Sequence, residues 1–230
     1  MNRFDQWVLQ QLNGFAGHYP QLDYGIYLLS INSLMKGGVL MLILWWLWFR
    51  ERPDQQQQRE TVVQLIILSF VVMVLARVSA KVLPFRVRPM HNSEIDFILP
   101  YGMEPRALEG WSAFPSDHAA LFYALSAGIF LLSYRAGLFA LLYSTLMIML
   151  PRLYLGLHHP TDIVGGALLG IIVVWVGCRL LKGWSLPRWF VSQGEVRPHW
   201  FYPGGFLLTF QIADMFNGSR ALVGYLFSFG

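Results

Sequence analysis

The sequence predicts an all-α, polytopic integral membrane bundle of about five to six transmembrane helices. Two observations carry this. First, 55% of the 230 residues are hydrophobic but only 13% are charged. Soluble domains reach a similar apolar fraction with roughly a quarter of their residues charged. Second, apolar runs of crossing length recur along the chain, separated by short polar stretches. Aromatic residues gather near their ends, as at Trp45, Trp46, Trp48 and Phe49, where a membrane interface favours them.

The elements follow in order. Phe4, Trp7, Val8 and Leu12 recur at near-helical spacing, which predicts a short helix lying on the membrane surface. No cleavage pattern follows it, so no removable leader is expected. Leu22 to Phe49 is nearly all apolar around one lysine, Lys36, and is too long for a single straight crossing of a core about 30 Å thick. Asn32-Ser33 and Gly37-Gly38 offer the break, giving a short interfacial or re-entrant piece followed by a crossing. The polar linker Arg50–Glu60 precedes a crossing over Val62–Leu83, which Pro84 and Pro89 end. A Pro-, Gly- and charge-rich loop spans 90–114. Crossings follow over Pro115–Tyr134, Leu138–Leu155 and Pro160–Leu181, the first two joined by a tight turn at Arg135–Gly137. In the tail, Gly205–Phe229 is apolar but holds Asp214, Asn217 and Arg220, which favours an amphipathic surface helix over a sixth crossing. The whole chain, 1–230, is expected to form one domain with its core at 62–181. The lone cysteine, Cys178, has no intrachain partner for a disulfide.

Charge sets the expected orientation. Arg50, Arg52, Arg59, Arg135, Arg179, Lys182, Arg188 and Arg197 fall on one side of a five-crossing arrangement. The positive-inside rule makes that side cytoplasmic and puts the 84–114 loop on the outer face.

Three polar motifs meet that outer face: Lys81 to Arg88-Pro89, Pro115-Ser116-Asp117-His118, and Arg152 to His158 and Asp162. The residue types suit a phosphoester. Lys81, Arg88 and Arg152 supply charge and donors, and a guanidinium matches phosphate oxygens bidentately. Ser116 falls in the first turn of a helix, where unpaired backbone N–H groups attract anions. Asp162, four residues after His158, can accept from one imidazole nitrogen and leave the other free as a nucleophile. His118 can protonate the leaving oxygen and then activate water. Spacing to Arg152 and Asp162 selects His158 over its neighbour His159. Two residues stay open. Asp117 either complements the helix N-terminus or helps to select a diphosphate, and Arg77 is either functional or paired with a structural carboxylate.

The pattern Lys-x6-Arg-Pro, Pro-Ser-x-His and Arg-x5-His-x3-Asp resembles the type 2 phosphatidic acid phosphatase (PAP2) superfamily over roughly 62–180. The resemblance implies a helical bundle and a phosphohistidine intermediate, with no cofactor and no metal. It implies Lys81, Arg88, Ser116 and Arg152 as phosphate binders, His118 as acid and base, His158 as nucleophile and Asp162 as its orienter. Two positions depart from the usual motifs. Asp117 stands where glycine is usual, which resembles the bacterial undecaprenyl pyrophosphate phosphatase branch. Pro151 stands where serine usually precedes the arginine, which removes one phosphate donor.

The resemblance therefore implies a phosphatase of a bacterial inner-membrane lipid, with its site facing the periplasm or exterior. Undecaprenyl diphosphate is the expected substrate, and Arg77, Arg86 or Arg106 could hold its second phosphate. Phosphatidic acid and phosphatidylglycerol phosphate are the alternatives, and a non-catalytic anion transporter is the rival class. The expected partners are the bilayer and its lipid. No basic stripe lies outside the membrane boundaries, so no nucleic acid is expected, and nothing in the sequence fixes an oligomeric state.

Overall fold

The computed structural model describes residues 1–219, 222 and 225, and among these the regular structure is entirely helical. In order the helices are α1 (Arg3–Asn13), α2 (Pro20–Ile31), α3 (Val39–Phe49), α4 (Gln55–Val82), α5 (Asp117–Leu132), α6 (Tyr134–Tyr143), α7 (Leu150–Tyr154), α8 (Pro160–Leu180), α9 (Ser185–Val196) and α10 (Pro198–Ala213). Wide π-type turns join α2 to α3 at Leu34–Gly38 and α6 to α7 at Ser144–Met149.

Among the described residues, three helical stretches are long and apolar enough to cross a membrane: α4, the continuous Tyr134–Tyr154 run, and α8. The pair α2–α3, bent by 66°, makes a fourth if it is one span. That bend falls on the predicted break. Gly37, within it, lets Ala213 pack close, because a Cβ there would lie 2.4 Å from the Cα of Ala213.

The apolar α5 is the centre of the bundle, packed against α4, α6 and α8. At 16 residues it is about 24 Å long. Phe122, Leu121, Leu125 and Ile129 are fully buried on it. Two glycines one turn apart on α8 permit a very close approach to α5. A Cβ on Gly166 would meet the Ser116 carbonyl at 2.3 Å, and one on Gly170 the Ala120 carbonyl at 2.0 Å. Small residues at this spacing let membrane helices pack backbone to backbone.

One expectation is corrected. The turn between the third and fourth crossings is not at Arg135–Gly137. It is the single extended residue Ser133, and Arg135–Gly137 already lie in α6. Gly137 makes so tight a corner feasible, since a Cβ there would sit 2.2 Å from the Cα of Phe130. The described part of the tail packs on the bundle. α10 runs back along α3, with Tyr202 stacked on Phe49 and Phe201 on Trp48 at one end. Ala213 packs on Gly37 at the other. Asp214 then accepts from Ser33 Oγ at 2.7 Å, so this polar residue sits at a helix end and not along an apolar face. Arg220 and Phe229, part of the expected tail helix, lie outside the described residues.

α1 turns Phe4 and Trp7 outward and Asp5, Leu9 and Asn13 inward. Asn13 clamps the long loop through Ile98, donating to its carbonyl at 2.7 Å and accepting from its N–H at 2.8 Å.

Candidate active site

The three motifs converge on a cavity of about 270 Å³ at the end of the bundle where α4 stops and α5 and α8 begin. Its wall includes Lys36, Arg77, Arg88, Asp117, His118, Arg152 and His158.

His158 precedes α8 and is buried. Its Nδ1 lies 2.9 Å from the Ala113 carbonyl. A carbonyl only accepts, so Nδ1 carries the proton and Nε2 keeps its lone pair. Burial, with Arg88 adding to it, pushes the His158 pKa below its ordinary value, against the opposing pull of Asp162. The ring is therefore neutral near pH 7.

Asp162 was expected to hold His158, and the geometry differs. Its carboxylate is 3.8 Å from His158 Nδ1, outside hydrogen-bond range. Instead it caps α8, accepting from the His159 N–H at 2.6 Å, with His159 Nδ1 at 3.2 Å. It also accepts from Arg86 Nη1 at 2.5 Å. The reason is positional. At the third residue of a helix, a carboxylate reaches back to the N-cap residue, here His159, before it reaches one residue further.

Arg86 is thus engaged by carboxylates and does not line the cavity. It joins Asp162 to Asp5, which is fully buried, at 2.6 Å. Asp5 also accepts from the Thr161 N–H at 2.9 Å and its hydroxyl at 2.7 Å. The first helix therefore pins the start of α8.

Arg88 is fixed by backbone carbonyls, donating to Leu157 at 2.5 Å and to Ser112 at 3.3 Å. Its Nη1 is 3.5 Å from His158 Nε2, so a donor stands beside the free lone pair. Arg152 donates to the Ser30 carbonyl at 2.9 Å and sits 2.6 Å from His118 Nε2. Its Nε and the Ser30 hydroxyl are buried without a partner among the described residues. Unsatisfied donors in a basic cavity are what an incoming anion would occupy.

The second motif makes a relay. Ser116 caps α5, accepting from the Ala119 N–H at 3.3 Å, and it does not line the cavity. The expected phosphate contact from its hydroxyl is replaced by this structural one. Asp117 accepts from His118 Nδ1 at 2.8 Å and from Arg77 Nη2 at 2.6 Å. Arg77 also lies over Trp111, 5.4 Å from the ring centroid.

Two cations change places relative to expectation. Lys81 is exposed and does not line the cavity, because it lies one turn beyond Arg77 on α4. Lys36, from the bend between α2 and α3, is buried in the wall instead. A lysine within an apolar crossing was the signal for it. Arg106 is not in the wall.

One ligand-type atom each from Asp117, His118 and His158 lie within 4.8 Å of one another. Such a trio can hold a cation in other settings. Here Lys36, Arg77, Arg88 and Arg152 surround it, and that charge favours an anion.

A family model described as the PAP2 superfamily matches residues 26–185. A curated relative, the bacitracin transport permease protein BcrC of Bacillus licheniformis, is 32% identical over 77 residues. That match takes in 34% of this chain and 35% of the relative, so the chain spans about a third of the relative's length. The crystal structure of Aquifex aeolicus LpxE aligns with a TM-score of 0.52 and 23% identity, covering 78% of this chain and 99% of that one. That likeness is one of fold.

Proposed function

The chain belongs to the PAP2 superfamily, and on that premise we propose that this multi-pass membrane protein dephosphorylates undecaprenyl diphosphate through a phosphohistidine on His158. The supporting observation is the meeting of two histidines, each held through Nδ1 by an oxygen acceptor, with four cations in one cavity. His158 Nε2 is unprotonated, and His118 is held through Nδ1 by Asp117.

In the first step His158 Nε2 attacks the terminal phosphorus, and the bond from phosphorus to the bridging oxygen breaks. His118 Nε2, which takes up a proton from solvent once Arg152 has turned to the phosphate, protonates that oxygen, and undecaprenyl monophosphate leaves. In the second step His118 takes a proton from water, which attacks the phosphohistidine. Inorganic phosphate departs and His158 is regenerated. Arg88 and Arg152 stabilise the pentacoordinate charge, with Arg152 turning from His118 Nε2 to the phosphate. Asp117, paired to Arg77, orients His118, and this replaces a direct role in selecting substrate. The His158 orienter is the Ala113 carbonyl, with Asp162 fixing the helix start behind it.

A diphosphate headgroup carries roughly three charges. Arg77 is paired with Asp117, and Lys36, Arg88 and Arg152 line the same cavity, so its wall is cationic enough to attract that charge. The chemistry needs no metal or cofactor. Arg52 and Arg59 flank the start of α4, and Arg188 pairs with Glu60 at 3.5 Å, so basic residues gather at the end away from the cavity. This supports a bacterial inner-membrane location with the cavity facing outward.

The test is phosphate release by purified protein in detergent with EDTA present, on undecaprenyl diphosphate, phosphatidylglycerol phosphate and phosphatidic acid. The fastest initial rate is expected on the diphosphate. A clear preference for a glycerophospholipid would remove the substrate assignment and leave the histidine roles in place. The name of the BcrC relative offers transport as a second reading. A transport site has no use for a nucleophile, so turnover that disappears in His158→Ala separates the two.

A further inference from the structure

The reading above seats a headgroup and leaves its apolar chain unplaced. Two apolar grooves flank the turn Asp214–Asn217. One, about 210 Å³, lies between α3 and α10 beside Leu42, Trp45 and Phe210, and shares no lining residue with the catalytic cavity. The other, about 350 Å³, lies along α4 beside Phe70, Met73, Val74 and Val78, and is closed by Met215 and Phe216. It shares Arg77 with the cavity.

Arg77 fits a boundary position. Its guanidinium meets Asp117 inside the cavity, while an arginine stem is apolar and packs against apolar surface. The turn fits it too. Met215 and Phe216 both have left-handed backbones, φ 53° and 58°, which non-glycine residues adopt only when their surroundings impose it. Met215 is fully buried, and the Phe216 ring lies 5.1 Å from that of Phe70. This turn thus presents an apolar pair to the groove, and Asn217 beside it, whose side chain bonds to Asp214, lines the cavity.

We propose that the groove between α4 and the Met215–Phe216 turn binds the first part of the substrate's polyprenyl chain, with Arg77 marking the passage from diphosphate to chain. From Arg77 back to Phe70 it follows α4 for about 10 Å. This groove, which meets the cavity at Arg77, leads an apolar chain away from the headgroup. The proposal rests on the lipid phosphatase reading.

The test compares undecaprenyl diphosphate with the short, water-soluble isopentenyl diphosphate. Val74→Trp fills the groove from its lipid-facing side. It is expected to raise KM for undecaprenyl diphosphate about tenfold, because burial of the chain is lost, and to leave hydrolysis of isopentenyl diphosphate at the wild-type rate. Leu42→Trp, in the other groove, is expected to change neither. Equal losses on both substrates in Val74→Trp, no loss on either, or a selective loss in Leu42→Trp would each overturn the proposal. Photocrosslinking of the wild-type chain guards against a variant that fails to fold. A diazirine near the diphosphate end of a polyprenyl diphosphate analogue should label residues 70–78 or 215–216, and labelling at 42, 206 or 210 overturns it. If the wild type hydrolyses undecaprenyl diphosphate and the groove results go the wrong way, only the groove is lost. If the wild type hydrolyses no lipid phosphate, the phosphatase reading itself fails and takes the groove with it.

Discussion

Replacing Asp117 with asparagine removes one charge and little else. In the wild type the carboxylate accepts from His118 Nδ1 at 2.8 Å and from Arg77 at 2.6 Å. An asparagine carbonyl can still accept from Nδ1, so the ring keeps its orientation. What is lost is the charge that stabilises the protonated ring as it delivers its proton. A hydrogen bond to a charged group contributes about 1.5–3 kcal/mol and a neutral one about 0.5–1.5, a difference of about 1–2 kcal/mol. At about 1.4 kcal/mol per tenfold, kcat should fall roughly five- to thirtyfold. KM should not rise, because Arg77 loses its carboxylate partner and becomes freer to attract phosphate. Asp117→Ala removes the orienting acceptor as well and should cost more in kcat, towards the ~10²-fold lower bound for a general acid. Initial-rate phosphate release in detergent, fitted for kcat and KM, reads both. A raised KM with kcat unchanged would refute the relay and return Asp117 to substrate selection.

Other outcomes follow from the same geometry. The pKa of His158 is lowered by burial, so its lone pair stays free as pH falls through the ordinary imidazole value of about 6.5 and is lost only below it. The acid limb of kcat/KM should therefore lie below that value, and a limb near 7 would point to another nucleophile. Lys36→Met should lower kcat/KM by roughly 10- to 100-fold, the loss of one buried charge-assisted contact, while Lys81→Ala stays within about threefold of wild type. The opposite order would restore Lys81 to the site. Gly170→Ala sets a Cβ 2.0 Å from the Ala120 carbonyl and should destabilise the bundle by about 1–3 kcal/mol. A melt followed by tryptophan fluorescence checks this, and an unchanged midpoint contradicts the close packing of α5 on α8.

The helices and the end of the bundle that carries polar chemistry were legible because hydropathy and breaker residues are local signals. Asn32-Ser33 and Gly37-Gly38 marked the bend, and Pro89, Pro115 and Pro160 marked starts and stops. The corner at Ser133 was not, because Gly137 reads as a turn residue although its purpose is to let Phe130 approach. Motif spacing gave the residue types at the site but not which helical turn faces the cavity. Arg77 and Lys81 lie one turn apart on α4, and only the packing of α5 and the loop against α4 selects Arg77. Asp162 was misjudged for a similar reason: its four-residue spacing pointed to His158, but capping geometry turns it to His159. Asp5 left no trace in the sequence at all. Its partner Arg86 is 81 residues away, and an acid among Phe4, Trp7 and Val8 reads as the wet side of a surface helix. The cavity position of Asn217 depends equally on the docking of α10 along α3.

The claim on which the rest depends is covalent: phosphate passes through His158. Rapid acid-free quenching of the enzyme with undecaprenyl diphosphate labelled in its terminal phosphate, followed by peptide mapping under alkaline conditions, tests it directly. The expected result is label on the peptide containing His158, specifically on that ring. It should be absent in His158→Ala and should persist longer in His118→Ala, where water attack is slowed. Label on His159, or full turnover in His158→Ala, would contradict the account.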